Sequence, residues 1–395
     1  VADSNPPDGP FGGLPFFGDL SKLFTGAAAG PWETAKQLAA QIATNGEPEA
    51  NVDPIERLAI EQLVRVAELR VNDLTNRTVG GSDGLHTEIT NRAGWAIRTV
   101  SDYQPLLQGL SDALARPPQA MPDEASDDPM AGMFAAVFGM LGPMMLGFTS
   151  GSMVGHLAQR SLGGYSLPVP RPAGAPLLLS LPTIDQLVDE WSLDRNDVRL
   201  WTCLHEVAAH AVLSVPHVHH ELTSLLTAYV GAFQADSTAL EEQIGSLDLS
   251  DPASLAGLQE RLGDPDVILG ALNSPEQRSL QPALAALTAV VVGVTDHLVD
   301  RIGTDLIDTH AQITEAIHRQ RVSAGASDRF VERLLGLELD QTQYDRGAAF
   351  VRGVQDREGD AGLFRLFHSR RELPTVAEVD APGLWLARID LPDAD

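Results

Sequence analysis

Only one short run in this chain, Leu177 to Leu181 closed off by Pro182, has the unbroken apolar character of a buried strand. Almost all the other apolar patterning recurs at three and four residues. Such a chain must bury its core mainly between helices. The spacing predicts helices over Trp32 to Ala43, Pro54 to Leu74, Gly94 to Ala115, Thr183 to Trp191, Asp194 to Leu213, His217 to Gln234 and Ser254 to Leu262. It predicts further helices over Ser279 to Ile302, Leu306 to Gln320 and Ala326 to Val354, the last broken near Leu335 to Asp340. In the second of these helices Leu58, Ile60, Leu63, Val66 and Leu69 form the apolar set, with Glu56, Glu61, Arg65 and Glu68 between them. Residues 1–30 are a Pro- and Gly-rich arm in which Phe11, Phe16 and Phe17 favour docking, and Pro117 to Pro129 is a loop. The tail from Glu372, with Pro374, Pro382 and Pro392, is expected to be mostly extended.

With 395 residues and 44% apolar content, the chain can supply cores for two or three packed units. Its single cysteine, Cys203, excludes an internal disulfide and a multi-thiolate zinc site, and no signal peptide is visible; a reducing, cytoplasmic setting is the expectation. Against 27 Lys and Arg stand 54 Asp and Glu, a net charge of −27 that repels a phosphate backbone, so nucleic acid is excluded as a partner. The only lysines are Lys22 and Lys36, and no GxxxxGK[ST] loop is present to cradle nucleotide phosphates.

Met130 to Gln159 holds no charged residue and is long enough to cross a bilayer. All seven methionines lie between Met121 and Met153, and Gly147, Gly151 and Gly155 form a smooth stripe that admits another helix backbone. The expectation is a buried helix pair broken near Pro143. A membrane- or partner-contacting surface is the alternative, disfavoured for membranes by the acidic surface and the lack of a basic flank.

Chemistry concentrates between Trp201 and Glu221, where five of the eleven histidines fall. Asp194, with Asp197 three residues on, is a predicted N-cap for a helix ending before Pro216. A zinc peptidase places HExxH on such a helix because residues four apart reach one metal while the glutamate polarises its water. Here His205 and Glu206 are in place, but the position four after His205 is Ala209. His210, five residues on, lies about 140° around the helix and returns only through a π-bulge. His217, His219 and His220, beside Glu221, read as a solvated helix start, with a surface metal site as the alternative. Asp296 and Asp300, with His297, read as surface carboxylates or a ligand-polarising group, and Cys203 as a small buried hydrophobe.

These stretches resemble the actinobacterial "putative hydrolase" family of zincin-like, zinc-dependent metallopeptidases. The resemblance covers most of the chain. It rests on Gly13-Leu-Pro-Phe-Phe-Gly, Gly30-Pro-Trp-Glu-Thr-Ala, Gly151-Ser-Met-Val-Gly-His-Leu-Ala-Gln, Leu167-Pro-Val-Pro-Arg-Pro, the Leu200 to His210 helix, Leu335-Gly-Leu-Glu-Leu and Leu373-Pro-Thr. It implies a predominantly helical α+β fold of zincin type, with a small sheet beside the HExxH-type helix. The implied organisation is an arm over 1–30, a helical region over 31–116 and a zincin-like region over 130–395. The family pattern, roughly Leu-His-Glu-Val-Ala-His-His, is matched by His205, Glu206 and His210, while Ala209 replaces the second metal histidine. A later family Glu, the implied third ligand, is replaced by Val292. Glu206 is then a vestigial general base.

Two functions follow as expectations: a non-catalytic relative without zinc that binds a protein or peptide partner, or an active zinc hydrolase with a rearranged set drawn from His205, Glu206, His210, Asp296 and His297. A component of a larger or membrane-peripheral assembly, attached through the Met-rich segment, is a third.

Overall fold

The structure, a computed structural model, describes residues 30–81, 84–114, 147, 150–233, 274–322 and 326–392. Helices dominate: α1 (Pro31–Ala43), α2 (Pro54–Thr75), α3 (Arg92–Leu114), α4 (Leu181–Trp191), α5 (Arg195–Leu213), α6 (Pro216–Gly231), α7 (Pro275–Leu306), α8 (His310–Val322), α9 (Ala326–Leu334) and α10 (Gln341–Leu363). Two short helices, α11 (Val376–Val379) and α12 (Pro382–Ile389), close the described chain. Strands β1 (Thr87–Thr90) and β2 (Leu177–Ser180) form a parallel pair in the register Thr87↔Leu177 to Thr90↔Ser180. The other edge of β2 is partnered by residues 162–164, where Gly164 N–H donates to Leu178 O at 2.8 Å and Ser180 N–H to Leu162 O at 2.8 Å. The fold is therefore predominantly helical with a small sheet, and β1 is the strand that periodicity missed. Only Ile89 of its four residues is buried, too little apolar alternation to register in a sequence.

Buried side chains from Ala35 to Ile389 make one continuous core. At its centre α7 packs on α5, α6 and α10, while α2 lies on α5 and α1 on α3. Ser274 starts α7 earlier than the spacing predicts, through a capping box: its hydroxyl accepts from Gln277 N–H at 3.1 Å and its own N–H donates to the Gln277 side chain at 3.0 Å. Among the described residues α7 alone is long and apolar enough to cross a bilayer, and 72% of its most apolar window is buried inside the protein.

The α7–α10 crossing is set by glycines. A Cβ on Gly293 would lie 2.6 Å from the Gly347 carbonyl, so the two backbones touch there. A second glycine contact involves the charge-free segment. Pro143 and the residues up to 146 lie outside the described residues, as do the 1–29 arm, the 117–129 loop and the helix expected over 254–262. Residues 150–158, however, are helical and buried except at His156. A Cβ on Gly147 would meet Pro31 O at 2.5 Å, one on Gly151 would meet Ala35 O at 2.6 Å and one on Gly155 would meet Ala39 O at 2.9 Å. The stripe is thus a seat for the backbone of α1.

Two expectations are overturned. Helix α2 buries Ile60, Val64, Ala67 and Val71, leaving Leu58, Val66 and Leu69 exposed. The face with the small and β-branched residues lets α2 approach α5 closely, and the face with the larger leucines turns outward. The tail is helical rather than extended. Thr375 and Glu378 form a capping box, Pro382 opens α12 at a position that lacks a hydrogen-bond requirement, and Trp385 is fully buried against Phe350, ring centroids 5.3 Å apart. Burying that indole offsets the cost of ordering the tail.

Replacing Gly151 with alanine should force α1 and the 150–158 helix apart, lowering unfolding free energy by about 1–3 kcal/mol in chemical denaturation. Gly231→Ala, where a Cβ meets nothing within 4 Å, should leave the midpoint nearly unchanged.

Candidate functional site

Helix α5 begins as its sequence predicts: the Asp194 carboxylate accepts from Asn196 N–H at 2.9 Å and Asp197 N–H at 3.0 Å. The helix is regular throughout, with no π turn, so Ala209 and His210 keep the positions that ordinary helical geometry assigns them. Thirteen of its 19 residues are buried.

Glu206 is 1% exposed, and its Oε2 accepts the Tyr165 backbone N–H at 2.9 Å. Gly163 presses on the same carboxylate so closely that a Cβ there would overlap it. The Gly163 carbonyl in turn accepts from Trp95 Nε1–H at 3.0 Å. Glu206 therefore ties the 162–165 segment, and through it β2, down onto α5. His205 Nδ1 lies 3.5 Å from Glu206 Oε1, and its ring stacks on Trp201, centroids 5.3 Å apart and planes 13° from parallel.

His205, Glu206 and Ala209 line a cavity of about 150 Å³ together with Tyr165, Trp201 and, from α7, Val291, Val292, Thr295 and Asp296. The two positions where the resemblance implies missing ligands thus face the same space as His205, although 83 residues separate them. The Trp201 Nε1 and Thr295 Oγ1 atoms are buried without a hydrogen-bond partner.

The remaining candidates are drawn elsewhere. His210 does not line the cavity; its Nδ1 is 2.8 Å from the Tyr165 hydroxyl. Burial lowers the His210 pKa to about 4, and burial raises that of Tyr165, so the phenol keeps its proton and donates to a neutral imidazole. His297, also outside the lining, lies 2.9 Å from Asp360 Oδ1 and 3.0 Å from Gln355 Nε2. Asp296 is held by two bonds from Arg321, at 3.2 and 3.3 Å, and Arg321 lies over the Tyr344 ring. Asp300 pairs with His310 at 3.0 Å. Asp300 is exposed, as a surface carboxylate would be, whereas Asp296 lines the cavity beside its Arg321 partner. The histidine run is not a merely solvated start: His217 donates to Leu366 O at 2.9 Å and His219 to Arg171 O at 3.1 Å, pinning α6 to distant backbone, while His220 is exposed. Cys203 is fully buried and burial pushes its thiol pKa up, consistent with an inert hydrophobe. Among the described residues no group of three His, Cys, Asp or Glu side chains is placed to hold a metal ion.

Sequence reasoning missed Tyr165, Thr295 and Arg321. The Gly163-Gly164 pair was the available signal, since paired glycines ahead of a strand mark close backbone approach.

The His-Glu helix thus lies against a small sheet and shares a cavity with the long apolar helix α7. The sequence profile of zincin-like metallopeptidases matches residues 31–386, and the chain belongs to that family. A crystal structure described as "a putative hydrolase with a novel fold", from Chloroflexus aurantiacus, superposes with a TM-score of 0.63 over 92% of this chain and 99% of that one, at 22% identity. That likeness establishes the shared fold. No curated protein matches the sequence.

His210 gives the site a defined acid response. An unfolded histidine takes its proton near pH 6.5, whereas the folded one resists until about pH 4. Its contribution is therefore complete above pH 6.5 and is lost as pH falls from there toward 4. Between pH 7 and 4 the native protein should lose up to about 3 kcal/mol more unfolding free energy than His210→Asn, measured by denaturant titration across that range.

Proposed function

We propose that this protein is a zincin-like relative that has lost its zinc site and works as a non-catalytic binder of a protein or peptide segment. The observation that carries the reading is the convergence of Ala209 and Val292 on the cavity that also holds His205 and Glu206. Where the family pattern implies an imidazole and a carboxylate, this cavity receives a methyl and an isopropyl group, neither of which can bind a metal. His210 and His297, the candidates for a rearranged set, are engaged by Tyr165 and by Asp360 and Gln355. The residues present do not fit a zinc ion of the kind the family implies.

In this reading Glu206 is a structural tie, since its carboxylate is committed to the Tyr165 amide. A cavity of about 150 Å³ matches one benzene-sized group rather than a whole small-molecule ligand. It therefore suits a single apolar or aromatic side chain of a bound peptide. The acidic chain, with net charge −27, favours a basic or neutral partner over an acidic one.

Metal analysis tests the reading directly. Purified protein should hold far less than one equivalent of zinc, and a chelator should leave its melting temperature unmoved. The Ala209→His/Val292→Glu double variant should recover about one equivalent, with a chelator-sensitive melting temperature. Stoichiometric zinc in the native protein would remove the proposal.

A further inference from the structure

Helix α2 carries a second apolar stripe, on the face turned away from the core. Ile55 is 77% exposed, Leu58 56%, Val66 41% and Leu69 60%, four of the nine large hydrophobic side chains most exposed among the described residues. At about 100° per residue these positions and the exposed Gln62 fall within about 80° of one another, with Gln62 near the centre. A continuous apolar strip of this kind on a helix marks a contact surface.

Its layout identifies the partner. The steps from Ile55 to Leu58, Gln62, Val66 and Leu69 are 3, 4, 4 and 3 residues, a palindrome about Gln62. An antiparallel copy of the same helix, related by a two-fold axis through Gln62, therefore sets Ile55 against Leu69 and Leu58 against Val66, and the reverse. The charges agree. Glu61 and Arg65 lie on the same flank of the stripe, and neither has an ion-pair partner among the described residues. In the antiparallel pair Glu61 of each helix comes beside Arg65 of the other, about 3 Å apart along the axis. Helix α2 also carries three arginines against four acids, nearly neutral in a chain of net charge −27, so self-association here escapes most of the repulsion felt elsewhere.

We infer that the protein forms a two-fold homodimer through the exposed face of α2, with Gln62 on the axis. One helix pair buries less than the ~800 Å² per partner of a standard interface, so the dimer is a concentration-dependent one with Kd about micromolar. The inference does not depend on what the α5 cavity binds.

Sedimentation velocity on the full chain tests this. The native protein should pass from monomer to dimer with rising concentration. Glu61→Arg and Arg65→Glu should each weaken the dimer about tenfold, because each places like charges across both symmetric contacts. Mixing those two variants should restore a heterodimer of near-native affinity, and so should combining both changes in one chain. Circular dichroism should show all of them folded, since both sites are at the surface. Independently, Gln62→Cys should oxidise to a disulfide-linked dimer. Helices about 8–10 Å apart bring facing Cα atoms within bonding range on the axis. The control Arg57→Cys, on a different exposed face, should not, and the buried Cys203 cannot compete. A native protein monomeric at all concentrations, a dimer indifferent to the charge changes, or equal cross-linking of the two cysteine variants would each overturn the inference.

Discussion

The near-complete enclosure of α5 is the constraint on which the rest of the molecule depends. Helices α2, α4, α6, α7 and α8 and strand β2 all contact it. A helix so enclosed cannot place a charge freely, and its charged side chains are met by specific partners. Arg199 is met by Asp185 at 3.1 Å and Glu56 at 2.5 Å, and the Asp197 carboxylate takes the hydroxyl and amide of Thr309 at 2.6 and 3.0 Å. Glu206 is met by the Tyr165 amide. These bonds attach α5 to segments from four parts of the chain and make it the mechanical axis of the fold.

The same enclosure gives the polar groups of α5 structural work that needs no metal ion. In a metal site the buried glutamate beside a histidine would be justified by the ion. Here Glu206 is justified by a backbone N–H that would otherwise be buried unpaired, and Gly163 is shaped to it. His210 is likewise held as a neutral acceptor for Tyr165. Residues of catalytic type on α5 therefore also serve the fold, and a His-Glu pair by itself carries little information about activity.

Glycine contacts set the remaining helix crossings. Gly293 and Gly347 let α7 and α10 meet backbone to backbone, and Gly147, Gly151 and Gly155 do the same for α1. The Gly stripe was legible in the sequence as a place of close approach, whereas α1 as its partner was not. Spacing shows that a smooth face exists, and only packing decides which helix fills it. Helix α2 teaches the converse. Its apolar residues are numerous enough to draw two faces, one on Ile60, Val64, Ala67 and Val71 and another on Ile55, Leu58, Val66 and Leu69, and periodicity cannot choose between them.

Helix content, the N-cap at Asp194, the break over 335–340 and the one-residue displacement of His210 from the metal-binding spacing were all readable in the linear chain, because each depends on residues within one or two turns. The tertiary structure alone could set Val292 across the cavity from Ala209, give His210 to Tyr165, hand Asp296 to Arg321 and fold the tail over Phe350. Those pairings join residues separated by 25 to 83 positions, where no local periodicity acts and the burial of shared surface makes the choice.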